Sequence, residues 1–406
     1  MKYIVLLGDG MADEPIEELG GKTPLEAARI PRMDALARAG QFGLVETVPE
    51  GYHPGSDVAN LSVFGYDPAT CYSGRAPLEA ASMGVELGPE DVAFRMNLVN
   101  LVAHYGRLYM GDFSAGHITT PEARELVEAL EEEYGGGEFR FYPGVSYRHL
   151  MVWKGGKEKL TFSPPHDLSG QGVEDHMPKG DGADQLIHLM NASQLLLHNH
   201  PVNKKREAQG EATANSIWLW GHGRAPRMET MKEKFGITGG AVISAVDLIK
   251  GIGKYAGLDI IEVPGATGYL DTNYRGKAEY ALDCLKDHDF VYVHVEAPDE
   301  AAHAGSVEEK IKAIEAFDEL VVGTVVDGLG DLGDYRLAVL PDHPTPVKKM
   351  THTTDPVPYI LCGSGGEFPP ASGVEGYSEK AALATGVKID RGHELMERLV
   401  RGPAQG

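Results

Sequence analysis

Three short, almost wholly apolar runs in this 406-residue chain each lead straight to a potential metal ligand. Residues 3–7 end in Gly8-Asp9-Gly10, residues 290–295 lead to Asp299 and His303, and residues 336–340 lead to Asp342 and His343. Runs of five or six residues with no polar face read as strands buried on both sides, the pattern of a parallel sheet covered by helices. The open carboxyl ends of such strands are where an α/β sheet gathers residues from distant segments into one site. A fourth stretch, Thr-rich around His352, follows His343 by nine residues and supplies another imidazole.

The rest of the chain agrees with that sheet. From residue 216 onward strands and helices alternate: strand 216–220, helix 245–251, strand 259–263, helix 277–285, strand 290–295, helix 307–327 and strand 336–340. Such alternation marks an α/β fold with a doubly wound, mostly parallel sheet. Helices are also predicted at 31–39, with Gly40 as its stop, and at 58–64, with Ser56 and Asp57 at its amino end. Residues 94–110 read as two strands joined by a turn at 104–106, a hairpin leaving the core. An amphipathic helix at 122–133 is broken by Gly135 to Gly137 and followed by strands at 139–142 and 149–153. This β-α-β-β unit, residues 112–180, is the expected smaller inserted α+β domain, between core segments 1–111 and 181–406. Its last part, 163–182, is rich in Pro, Gly, Asp and His and reads as a linker or substrate loop, and a helix follows at 183–197.

Charge narrows the partners. With 60 acidic and 37 basic residues the net charge is −23, which disfavours nucleic acid and anionic membrane surfaces. A phosphorylated small-molecule substrate then requires local cations or metal. Cys71, Cys284 and Cys362 are too few and too scattered for a disulfide framework or a thiolate zinc site, which fits a reducing cytoplasm. The apolar run near Met1 is short and followed at once by Asp9, Asp13 and Glu14, so neither an export signal nor a membrane helix is expected there.

Asp299 and His303 are four residues apart, which on a helix puts both side chains on one face within reach of one ion. Asp342 and His343 sit in a loop stiffened by Pro344 and Pro346. With Asp9 and His352 the set comprises three carboxylates and three imidazoles, enough for two divalent ions about 3.5–4 Å apart. Oxygen and imidazole ligands without thiolate suit Mn, Zn, Co or Mg, although several imidazoles count against Mg. Ser56 has two readings. It is either an ordinary helix N-cap or a nucleophile whose hydroxyl is activated by a metal ion at a helix amino terminus. Among the cations, Arg75, in a loop after Gly74, and Lys277 are the leading candidates for binding phosphate or carboxylate oxygens, with Arg148, Arg206 and Arg224 behind them.

The segments IVLLGDGMAD, HPGSDVANLSVFGYDP, YSGRAPLEAA, VHVEAPDEAAH, LPDHPTP and THTTDPVP, taken in order, resemble the alkaline phosphatase superfamily, and within it the cofactor-independent phosphoglycerate mutases of the archaeal type. The likeness runs along nearly the whole chain. It implies that Ser56 is phosphorylated during turnover and shares one ion with Asp9, Asp342 and His343. Asp299, His303 and His352 are implied to hold the other ion, and Arg75 and Lys277 to contact the phosphoryl group. The implied reaction is the glycolytic and gluconeogenic exchange of 3-phosphoglycerate with 2-phosphoglycerate, the inserted domain closing over the core so that water does not reach the phosphoserine. Manganese is the expected metal.

Three other readings share some of these residues. Chains of this pattern also resemble proteins proposed to act as homoserine kinases, which need a nucleotide donor; the chain has no GxxxxGK[ST] loop, which does not decide the matter on this scaffold. Plain phosphomonoester hydrolysis needs the same core with water admitted. A metal-stabilised binding protein would leave Ser56 and Lys277 with no common purpose.

Overall fold

The apolar runs lie side by side. In the computed structural model, which describes residues 1–402, Lys2–Gly8 pairs in parallel with Phe290–Val295 on one side and Tyr335–Leu340 on the other. Gly8 stands opposite Val295 and Leu7 opposite Leu340, so the three strands end level. Ile4, Val5, Leu6 and Leu7, and every residue from Phe290 to Val295, are buried, as strands covered on both faces must be. Burying each large aliphatic side chain is worth about 1.5–3 kcal/mol.

Beyond Phe290–Val295 the sheet continues through Gly240–Ile243 to Asp259–Ile260, and beyond Tyr335–Leu340 through Val357–Gly363 and Gln41–Val45 to Lys388–Ile389. Of these eight strands Val357–Gly363 alone runs against the others. The expected doubly wound, mostly parallel sheet is therefore present. Four of its strands were not expected. Gly240–Ile243 is four residues long and Lys388–Ile389 only two, while Gln41–Val45 contains Gly43 and Val357–Gly363 contains Pro358, each of which weakens a strand signal.

The predicted helix over 307–327 is present in three pieces. Val307–Ala316 is α-helical, Phe317–Val322 forms a widened π turn, and Gly323–Gly328 resumes the α-helix. The wide turn carries Asp318, buried, whose carboxylate accepts from the backbone N–H groups of Met33 (2.7 Å) and Arg32 (3.1 Å). Asp318 thereby satisfies orphan donors in the first turn of helix Pro31–Ala39, which starts with a proline and has no side-chain cap of its own.

The chain forms two compact units, Met1–Tyr72 with the chain from Arg227 onward, and Ser73–Pro226. The second unit is larger than the expected insertion at 112–180. Its organising element is the long strand Val92–His104, which pairs antiparallel with Arg148–Trp153 and with Ser216–Gly223, while its end pairs with Arg107–Asp112. Val99 stands opposite Ser216 and Leu98 opposite Ile217, so Ser216–Gly223, expected in the parallel core, is bound instead with Val92–His104 into an antiparallel sheet. Helices Thr120–Tyr134 and Ala183–Asn199 bury Leu126, Leu130, Leu186 and Leu189 in the same core as Phe94, Met96 and Trp218. The 112–180 segment supplies only part of that core, which is why it does not stand alone.

Candidate metal centre

The level ends of the three central strands deliver the ligands. Asp9 follows Lys2–Gly8, Asp342 and His343 follow Tyr335–Leu340, and Asp299 and His303 sit on the short helix Ala297–His303 just beyond Phe290–Val295. The loops after the first strand and after Tyr335–Leu340 are stitched together by bridges from Met11 and Ala12 to Pro344. Ser56 is the first residue of helix Ser56–Val63. The cap position belongs to Gly55, which leaves the Ser56 hydroxyl out of any capping bond. That hydroxyl lies 3.1 Å from His343 Nε2.

One group of ligands is wholly buried. Asp9, Asp342 and His343 are each 0% exposed, and one ligand atom from each lies within 4.8 Å of the others. His343 Nε2 is 3.4 Å from Asp342 Oδ2 and 3.6 Å from Asp9 Oδ1. Around them stands a layer of fixed hydrogen bonds. Asn60 Nδ2 donates to Asp342 Oδ2 (2.8 Å) and to the Ser56 carbonyl (2.9 Å), and Asn60 Oδ1 accepts from Tyr292 OH (2.6 Å). Gly10 N donates to Asp342 Oδ1, and Thr47 Oγ1 donates to the Asp342 carbonyl. On the far side His294 Nε2 lies 2.9 Å from Asp9 Oδ2, and its Nδ1 lies 3.2 Å from Ser244 Oγ.

The second group is half exposed. His303 Nε2 lies 2.9 Å from His352 Nε2 and 3.2 Å from Asp299 Oδ2, and His352 Nε2 lies 3.4 Å from Asp299 Oδ1. The Nδ1 atoms of both rings face carbonyls, Met350 for His303 (3.0 Å) and Pro54 for His352 (3.4 Å), and donate to them. Both Nε2 atoms therefore turn inward, the arrangement that outer-shell carbonyls impose on ligand histidines. His343 stacks on His352, with ring centroids 3.9 Å apart, and belongs to this cluster with Asp299 as well as to the buried one.

The charges call for counter-ions. Burial, then the charges of Asp342, Glu296 and Asp299, raise the Asp9 carboxyl well above its ordinary range. Burial and then Asp299 push Glu296 up to about 8. Burial also pushes Asp299 up, but the hydrogen bonds from His303 and His352 outweigh it and hold that carboxyl well below its usual range. The hydrogen bond to Asp299 in turn raises His303 to about 9. Burial lowers His343 and takes His294 down to about 3, so both rings are neutral, the form that binds metal. Asp9 Oδ1 is buried with no hydrogen-bond partner. An orphaned carboxylate oxygen facing a neutral imidazole, and two inward Nε2 atoms on a carboxylate, are donor sets that fit divalent ions.

The other predicted residues fare differently. Lys277 is buried on helix Tyr274–Cys284, and its Nζ donates to the His294 carbonyl (2.9 Å); burial lowers it to about 8, with Glu296 opposing. It thus reaches the end of the same strand. Arg75 was expected in a loop and instead begins helix Arg75–Ser82, where its Nε donates to Glu79 (3.0 Å), a carboxylate shared with Arg95 (2.9 Å). Arg224 is occupied: it pairs with Glu90 and, at 2.9 Å, with Glu158, which removes it as a free anion-binding group. Arg206 is buried and paired with Glu122 and Glu211, a structural role. Arg148 is exposed beside the Tyr147 ring.

His294, Glu296, Asn60 and Thr345 lie against the candidate ligands and were passed over by sequence reasoning. His294 carried a signal, being a lone polar residue in a buried strand. Asn60 and Thr345 carried none, since each is unremarkable in a helix or loop until its partner, 282 or 46 positions away, is known.

The family model described as 2,3-bisphosphoglycerate-independent phosphoglycerate mutase matches residues 37–203. The chain is 62% identical over 400 residues to a probable 2,3-bisphosphoglycerate-independent phosphoglycerate mutase of Geobacter sulfurreducens, covering 98% of this chain and 100% of that protein. Among solved structures it is similar to a Pyrococcus horikoshii protein, with TM-score 0.84 and 29% identity over 100% of this chain and 98% of the other. It is also similar to a cofactor-independent phosphoglycerate mutase from Thermoplasma acidophilum, with TM-score 0.67 and 27% identity over 99% of both chains.

Proposed function

The chain belongs to the 2,3-bisphosphoglycerate-independent phosphoglycerate mutase family, and from that premise we propose that it interconverts 3-phosphoglycerate and 2-phosphoglycerate through a phosphoserine at Ser56. The observation that carries the choice of nucleophile is the Ser56 hydroxyl, uncommitted to any cap and 3.1 Å from His343 Nε2 in the buried ligand group. Ser56 Oγ loses its proton and forms a bond to phosphorus as the ester bond to one glycerate oxygen breaks, and that oxygen takes up a proton. The other hydroxyl of the same glycerate then loses its proton and attacks the phosphoserine, the Oγ–P bond breaks, and Ser56 Oγ takes up a proton again.

We assign one divalent ion to Asp9, Asp342, His343 and Ser56, and a second to Asp299, His303 and His352. Such ions, when bound, ease deprotonation of the serine hydroxyl and offset charge on the transferring phosphoryl group. Manganese is the first choice, with Zn, Co or Mg as alternatives, since the donors are oxygen and imidazole only. The chain's own residues do the positioning. Asn60 ties the Ser56 carbonyl to Asp342, and Lys277 adds a buried positive charge at the strand end, the group we assign to the phosphoryl oxygens. Arg75, whose Nε donates to Glu79, is assigned to the anionic groups of the substrate on the strength of its motif YSGRAPLEAA. A cytoplasmic site of action is supported by three buried free cysteines; among the described residues no helix is long and apolar enough to cross a membrane.

The purified chain, loaded with Mn²⁺ and given 3-phosphoglycerate without 2,3-bisphosphoglycerate, is expected to yield 2-phosphoglycerate. No product, together with ATP-dependent phosphorylation of homoserine, overturns the reading; release of inorganic phosphate alone makes the enzyme a phosphatase.

A further inference from the structure

We propose that the Thr345 hydroxyl is a positioning group that couples the two ion sites by holding a ligand of each. Thr345 is buried, and its Oγ1 lies 2.5 Å from Asp299 Oδ1 and 3.2 Å from His343 Nδ1. A hydroxyl has one proton to give. An ionised carboxylate can only accept, so the proton goes to Asp299 and the oxygen accepts from His343 Nδ1–H. This fixes the His343 tautomer. Its Nε2 lone pair is left facing Ser56 Oγ, Asp342 Oδ2 and Asp9 Oδ1, at 3.1, 3.4 and 3.6 Å. One hydroxyl thus orients Asp299, assigned to the half-exposed ion, and His343, assigned to the buried one.

Two independent features hold Thr345 in that pose. Its backbone N–H donates to the Ala12 carbonyl (3.1 Å), and its carbonyl accepts from the buried Lys310 Nζ (2.8 Å), which is anchored on Asp13 Oδ2 (2.8 Å) and the Ala12 carbonyl (3.1 Å). Gly10, at φ +62°, packs against the bond itself: a Cβ there would come within 2.6 Å of both Asp299 Oδ1 and Thr345 Oγ1. The first strand's loop therefore leaves room for this hydrogen bond and braces the residue that makes it. With the hydroxyl present, filling one ion site aligns a ligand for the other; without it His343 Nδ1–H is buried and unpaired, and either tautomer is open to the ring.

The inference rests on the two-ion assignment above, and the test separates the two. Metal-stripped full-length protein is titrated with Mn²⁺ by calorimetry, and the bound ions are read by electron paramagnetic resonance. Wild type that takes up fewer than two ions per chain rejects the two-ion assignment and the coupling with it. Given two ions, Thr345→Val is expected to weaken loading by about 10–100-fold, the usual cost of losing an outer-shell partner, and to abolish cooperativity and the spectral signature of a close ion pair. Thr345→Ser is expected to restore all three. Unchanged affinities and cooperativity in Thr345→Val overturn the proposal, as does a Thr345→Ser variant that falls as far as the valine one, since packing would then be responsible. Should Thr345→Val and Thr345→Ala both fail to fold while Thr345→Ser folds, the hydroxyl serves the fold and the proposal is again overturned.

Discussion

The two ligand groups at the strand ends differ in how they are held. Asp9, Asp342 and His343 are fully buried, and every one of them is gripped by a side chain or backbone group fixed in the core: His294, Asn60, Gly10 and Thr345. In the other group the side chains of His303 and His352 are 35% and 19% exposed, and their second nitrogens rest on loop carbonyls. A buried, cross-braced donor set is preorganised and shielded from water. A half-exposed set can open by a rotamer change or a small loop movement. The first suits an ion that stays with the serine, the second an ion that exchanges.

The largest effects should come from the buried side. Ser56→Ala is expected to abolish covalent labelling by substrate phosphate, read by mass spectrometry after acid quenching; label at another residue would move the nucleophile elsewhere. Asp342→Asn should remove about one ion per chain and lower turnover by roughly 10³-fold, given the several kcal/mol that a metal supplies in the transition state. If Asp342→Asn keeps both ions while His303→Ala loses both, the contrast between the groups is the reverse of the one drawn here.

Proton release sharpens the comparison. In the ion-free chain His303 is raised to about 9 by Asp299 and is protonated at neutral pH. That ion pair stabilises the ion-free fold fully below the ordinary imidazole range and is lost as pH rises through about 9. A metal must displace the proton, so loading of the half-exposed group should strengthen as pH rises toward 9. Buried Asp9 is also raised, so acid opposes filling of the buried group as well. Calorimetry in buffers of different ionisation enthalpy should show His303→Ala releasing about one proton fewer than wild type. Equal release would mean that His303 is not a ligand. The smallest effect belongs outside both groups: Arg224→Ala, a surface guanidinium paired with Glu90 and Glu158, should leave KM for 3-phosphoglycerate within about twofold, as exposed ion pairs contribute little.

The parallel core was legible because its central strands are apolar on both faces, a pattern that few other structures tolerate. Gly240–Ile243 escaped notice because four apolar residues carry no period, and Val357–Gly363 because Pro358 argues against a strand. The second unit was underestimated for a different reason. Its long strand Val92–His104 finds partners at 148–153 and 216–223, and nothing local says which sheet a strand will join.

Chemistry and placement of the main ligands follow from the sequence by itself: Asp and His residues set just past buried strands have few places to go but the strand ends. Tertiary structure alone decided the strand register, the division of labour among the oxygens and the tautomer of His343. Those depend on hydrogen bonds between residues 46, 282 and 285 positions apart, Thr345 with Asp299, Asn60 with Asp342 and His294 with Asp9. A hydroxyl or an amide has no preferred partner until packing removes water and offers it one.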